Sequence, residues 1–166
     1  MIGTTLIVGV IVMKWVPKDI DMYLGAKEYV DTVVLPLLPV SFDDDIKQAA
    51  SMTEFISLLS VQLERQFKGR LLMLPGYTYL KNSPNDKLLA DVEQWTSEFK
   101  EKGFQHVFFV TSDSDWKTRE DKLEGSLIWL PFLPLEHMDD NYRNSVLEDQ
   151  VKQMINLFIN KWQNNE

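Results

Sequence analysis

Three apolar runs in this chain break at a Leu-Pro pair: Val33-Val34-Leu35-Pro36, Leu71-Leu72-Met73-Leu74-Pro75 and Leu127-Ile128-Trp129-Leu130-Pro131. Proline has no backbone N–H and cannot sit inside a central ladder, so each pair is expected to mark where a buried strand ends. A further run, Val107 to Thr111, is short and continuously apolar, as a strand covered on both faces should be. Two intervals between runs carry a helical stripe: Phe55, Ile56, Leu59, Leu63 and Phe67 in one, Leu88, Val92, Trp95 and Phe99 in the other. Strands alternating with amphipathic helices specify a small α/β domain.

The boundaries follow from local chemistry. Pro17 suits the first turn of a helix. Thr32 to Val40 reads as the first strand, with Pro36 and Pro39 expected to take its second half out of the ladder. Ser51-Met52-Thr53-Glu54 has capping-box spacing and marks a start for the next helix, which Lys68 and Gly69 would close. The second strand, Arg70 to Leu74, runs into Pro75-Gly76, placed for a type II turn. Ser83 reads as the N-cap of the following helix, with Pro84 in its first turn. Near the end, Ser145-Val146-Leu147-Glu148 again has capping-box spacing, ahead of a stripe from Leu147 to Trp162. Ser112 to Gly125 is charged and lacks an apolar stripe, so it makes a poor crossover helix. The fourth strand, Ser126 to Leu130, is therefore expected to run antiparallel to the third. The expected architecture is a three-layer α/β/α sandwich around a mixed, mainly parallel four-stranded sheet of order 2-1-3-4.

Composition narrows the function classes. With 166 residues, 45% of them hydrophobic, the chain can bury roughly 70% of the surface it exposes when unfolded. It has no cysteine, which excludes thiolate nucleophiles and disulfides, and only His106 and His137, which are not a pair by spacing. The net charge of −8 disfavours nucleic acid and anionic lipid as partners. The apolar segment Thr4 to Met13 is shorter than the roughly 20 residues a spanning helix needs. It could be a short anchor, an extra strand or, as we favour, part of an extension preceding Met13. Residues 1–12 are thus set apart from a single α/β domain at 13–166, with no stable membrane insertion and a cytoplasmic location expected.

No motif here specifies a chemistry. There is no glycine-rich phosphate loop, no nucleophile elbow and no need for a cofactor or metal. In open α/β sheets, ligands bind beyond the carboxyl ends of the parallel strands, where strand order reverses. That rule gathers Ser41, Asp43 and Asp44 with Thr111, Ser112 and Asp113, and brings Tyr77 and Tyr79 near; Asp43, Tyr77, Ser112 and Asp113 are the candidate ligand contacts. Asp113-Ser114-Asp115 has the form of an Asp-x-Asp metal–diphosphate site, but the tripeptide is common and reads more simply as an exposed acidic turn that starts a charged loop. Asp43-Asp44-Asp45 reads most simply as helix capping. Trp116 lies in a polar loop, where an indole can anchor a partner protein or fold back onto the domain edge.

Met13-Lys14-Trp15, Lys18-Asp19-Ile20 and above all Ala26-Lys27-Glu28-Tyr29-Val30-Asp31-Thr32 followed by Pro36-Leu37 resemble the YpiF-like family of endospore-forming Gram-positive bacteria. The resemblance continues through Ser51 to Arg70 and covers the chain from Met13 onward. It carries no catalytic residue. Because some similar proteins are encoded beside the menaquinol–cytochrome c reductase, it implies an assembly or accessory role. The expectation is a non-enzymatic, protein-binding module, monomeric or homodimeric. The alternative is a small-molecule or nucleotide-binding enzyme using the strand-end crevice.

Overall fold

A computed structural model describes residues 13–66 and 70–164. Six strands, β1 (Met13–Lys14), β2 (Thr32–Val40), β3 (Leu71–Met73), β4 (Tyr77–Leu80), β5 (His106–Thr111) and β6 (Ser126–Trp129), form one sheet. Its order is β1-β3-β2-β5-β6, with β4 also paired to β2. Four α-helices accompany it: α1 (Pro17–Gly25), α2 (Ile46–Gln66), α3 (Asn85–Glu101) and α4 (Asp140–Asn164). The three-layer sandwich is as expected, and the strands foreseen from sequence lie in the expected order 2-1-3-4. β1 and β4 enlarge the sheet from four strands to six. The readings of residues 1–12, like Phe67 and the Lys68-Gly69 stop, lie outside the described residues.

Alternation along the central strands divides the core. Val34 and Leu38 of β2, with Phe108 and Val110 of β5, face α2 and α4. Val33, Leu35 and Leu37, with Val107 and Phe109, face the layer that contains α3, with α1 at its margin. Both faces of β2 and β5 are therefore buried, which is why these strands read as continuous apolar runs.

β2 does not end at its Leu-Pro pair. It continues through Pro36 and Pro39 to Val40. In a parallel ladder, alternate residues direct their backbone groups to opposite neighbours. Thr32 N–H donates to Arg70 and Val34 C=O accepts from Leu74, so the even-numbered residues of β2 face β3 and β4. Pro36 thus withholds its donor opposite the Pro75-Gly76 interval, where the neighbouring strand is itself interrupted. Pro39 faces the other way, beyond Thr111, where β5 has ended. Its carbonyl instead accepts from Thr53 Oγ1 of α2 at 2.8 Å. Each proline sits at a gap in the neighbouring ladder. The Pro75-Gly76 bend, with Gly76 at φ +131°, joins two strands running in the same direction and makes no reversal.

The helix starts also shift. α2 begins at Ile46, and Ser51 is inside it, donating to the Lys47 carbonyl at 3.0 Å. α3 has Pro84 at its cap position, and Ser83 makes no capping bond. α4 begins at Asp140; Asp139 Oδ1 accepts from Tyr142 N–H at 2.8 Å, doing what Ser145 was expected to do.

The largest correction concerns β6. It pairs with β5 in parallel from Phe108–Ser126 to Thr111–Trp129. The crossover is a nine-residue 3₁₀ helix, Ser114–Lys122. A 3₁₀ helix has three residues per turn, so side chains three apart share one side. Trp116 and Arg119 are its buried residues. Two anchors at that spacing leave no 3.6-residue stripe to be seen. Gly125 ends the crossover against β5: a Cβ there would come within 2.6 Å of Phe109 Cε2 and 2.9 Å of the Val107 carbonyl. Phe109 is fully buried and its ring has nowhere to go. Gly125→Ala should therefore cost about 1–3 kcal/mol of stability, as overpacked cores do, read from the urea midpoint.

Candidate functional site

The carboxyl ends of β2, β4 and β5 meet where strand order reverses, as expected. What fills that place is the protein itself. Asp113, buried just after β5, turns the chain by accepting from Asp115 N–H through Oδ1 at 3.0 Å. Its Oδ2 accepts from the Tyr79 hydroxyl at 2.6 Å. That hydroxyl in turn accepts from Trp116 Nε1 at 2.8 Å. The Trp116 ring stands edge-on to Tyr79 with centroids 5.6 Å apart and is fully buried. Arg119 lies 4.8 Å over the indole, and its Nε donates to Asn85 Oδ1 at 2.9 Å. One connected network ties β4, β5, the 3₁₀ crossover and the start of α3.

One ammonium group faces three carboxylates in the same cluster. Lys81 Nζ lies 2.9 Å from Asp115 Oδ2 and 3.9 Å from both Asp113 Oδ1 and Asp45 Oδ2. Asp45 also accepts from the Ser41 hydroxyl, which itself receives Asp43 N–H at 3.2 Å. The Asp-x-Asp pair is thus directed at an ammonium group that occupies the place a cation would take. Among the described residues, no group of three or more carboxylates and imidazoles is placed to hold a metal.

The predicted contacts divide. Asp113 and Ser112 are buried at the strand ends. Asp43 is exposed and spends its backbone on the turn into α2. Tyr77 stacks on Tyr79 at 5.5 Å but directs its hydroxyl to Asp91 of α3 at 2.7 Å. Trp116 corrects the reading of it as a partner anchor, because it presents no surface. Trp95, expected in the core, is instead 42% exposed. Lys81, Arg119 and Asn85 escaped sequence reasoning, since polar residues in turns and in a charged stretch give no periodic signal.

Burial, then the charge of Asp113 and its hydrogen bond, hold the Tyr79 hydroxyl far above its ordinary value. Burial and Asp91 do the same for Tyr77. Burial lowers Lys81, but the hydrogen bond to Asp115 and the charges of Asp113, Asp115 and Asp45 together outweigh it and raise it. The signs agree. Once pH passes the ordinary tyrosine value of 10.0, the unfolded chain releases protons that the folded tyrosines retain. Above 10.5 the unfolded chain likewise loses its Lys81 proton before the folded one does. Stability should hold below about pH 10 and fall above it, with a shallower fall in Tyr79→Phe. At neutral pH, Tyr79→Phe leaves a buried indole N–H and a buried carboxylate oxygen without this partner. It should cost about 1–3 kcal/mol by urea unfolding.

Two comparisons bear on identity. Residues 21–162 match the family described as protein of unknown function (DUF2487). The chain is 38% identical over 152 residues to the uncharacterized protein YpiF of Bacillus subtilis (strain 168), an alignment covering 90% of this chain and 98% of that protein. No solved structure matches the chain. With the family model spanning most of the residues and the relative aligned nearly end to end, this chain belongs to the DUF2487 family, as the YpiF-like resemblance implied.

Proposed function

We propose that this chain is a non-enzymatic, protein-binding module that acts in the cytoplasm. The observation that carries this reading is the closure of the strand-end crevice by Trp116, Tyr79, Asp113 and Lys81. A substrate there would have to displace a buried indole and break the hydrogen bonds that join Trp116, Tyr79 and Asp113. Around the same end of the sheet, apolar side chains are left in water. Phe42 is 79% exposed, Leu80 50%, and Ile46, also exposed, opens α2 one turn after Phe42 in sequence. Val40 and Leu80 are register partners, so Phe42 and Leu80 emerge from the ends of adjacent strands. Exposed aromatics that fill no core position are the usual anchors of protein interfaces. The accessory role in a respiratory assembly that the family resemblance implies is compatible with such a surface.

Phe42→Asp and Leu80→Asp should each change stability by less than about 0.5 kcal/mol, because neither side chain is packed inside. Tagged chain, recovered from native cells with membrane and soluble fractions kept apart, should bring down a stoichiometric protein that both variants lose. Recovery of the chain alone, or retention of the protein by both variants, overturns the reading.

A further inference from the structure

On the sheet face that carries α1 and α3, away from the network just described, lies a half-open cavity of about 430 Å³. Its floor is the sheet, formed by Val33, Leu35, Leu72 and Leu74. Its walls are aromatic: Trp15 after β1, Tyr23 of α1, Trp95 and Phe99 of α3, and Phe104. Phe99 and Phe104 meet edge-on at 6.2 Å, and Tyr23 stacks on Phe104 at 5.9 Å, so the walls are held by one another. Two tryptophans at the opening, Trp15 at 59% and Trp95 at 42% exposed, leave much of their ring surface uncovered by the described residues. A concave apolar space of this size with few polar groups is the usual form of a small-molecule site.

The polar groups at the rim narrow the ligand. Glu98 and Lys102, one helical turn apart at the end of α3, are the ionised side chains that line it, with Nζ and Oε1 4.0 Å apart. Their charges cancel. The carboxyl end of a helix adds negative potential, so the rim offers no net attraction to an anion. A hydrated cation would have to give up its water for a cavity whose lining carboxylate, Glu98, already faces Lys102. An uncharged molecule meets neither objection, and the rim pair can receive one carbonyl or hydroxyl group at its end.

We infer that this cavity binds an uncharged, flat, largely apolar small molecule between Trp15 and Trp95, with any polar group directed to Glu98 and Lys102. The inference does not depend on the protein-binding reading, whose residues lie at the carboxyl end of the sheet.

The full-length chain would be titrated with N-phenyl-1-naphthylamine, a neutral fluorophore, and with 8-anilinonaphthalene-1-sulfonate, its anionic relative. The neutral probe should bind saturably at one site per chain, and the sulfonate about tenfold more weakly. Trp15→Ala removes the more exposed wall and should leave the thermal midpoint in place. Trp95→Ala also gives up a ring contact with Phe99 at 5.8 Å and should lower it. Each should weaken the neutral probe by about tenfold. Absence of saturable binding, equal or tighter binding of the sulfonate, or unchanged affinity in both variants overturns the inference. So does a dimer whose probe site opens only on dilution, since a second copy would then be the occupant.

Discussion

Everything in this fold is arranged around one strand that contains two residues unable to donate a hydrogen bond. β2 pairs with β3 and β4 on one side and β5 on the other, so its backbone is the shared partner of half the sheet. A proline at the wrong parity in such a strand would leave a neighbour's carbonyl buried and unpaired, which costs about 1–3 kcal/mol. Pro36 and Pro39 avoid this because they face opposite ways. One meets the interval between β3 and β4, and the other passes the end of β5. The neighbours are interrupted where β2 cannot serve them. Gly76 belongs to the same solution, since its positive φ carries the chain across the gap while Leu38 Cδ1 occupies the space a Cβ would need, 2.7 Å away.

The break between β3 and β4 has a consequence at the carboxyl end of the sheet. β4 resumes alongside the second half of β2, which places Tyr79 opposite Pro39 and Lys81 just beyond Val40. Tyr79 then stands over the end of β5, where its hydroxyl bridges the Asp113 carboxylate and the Trp116 indole. A buried carboxylate is tolerable here because its oxygens receive the Tyr79 hydroxyl and Asp115 N–H, with the Lys81 charge nearby. The prolines of β2 and the closed crevice are thus linked through the register of one short strand.

The layers, the order of the main strands and the location of the crevice were legible in the sequence, because each follows from where apolar runs start and stop. What escaped reading had a common physical cause. Strand continuation past Pro36 depends on which neighbour a backbone group faces, and a single sequence does not contain that. The helix starts at Ile46 and Asp140 were masked by stronger-looking capping spacings at Ser51 and Ser145, which the turns outside them made redundant. Asp113 and Tyr79 were gathered at the strand ends by topology, but Lys81, which comes from 32 positions before Asp113, gave no signal of its place there. Trp116 could not be assigned because an indole in a polar loop looks the same whether it faces water or the core.

The parallel crossover explains why the crevice is closed. In the nucleotide-binding arrangement of such sheets, the strand at the switch point leads directly into an α-helix, whose free N–H groups point at the ligand. Here β5 leads into a 3₁₀ helix, whose tighter winding puts Trp116 and Arg119 on one side and turns both inward. The indole takes the volume a ligand would need, and the guanidinium covers its outer face. Asp113 accepts the Asp115 N–H of that turn, so one of the donors that would otherwise meet an anion is already spent. The topology that creates a ligand crevice is therefore retained while the element that would serve it is replaced. The apolar surface that the described residues do leave in water lies elsewhere, at the strand-end rim of Phe42 and Leu80 and at the Trp15 and Trp95 walls of the cavity under α3.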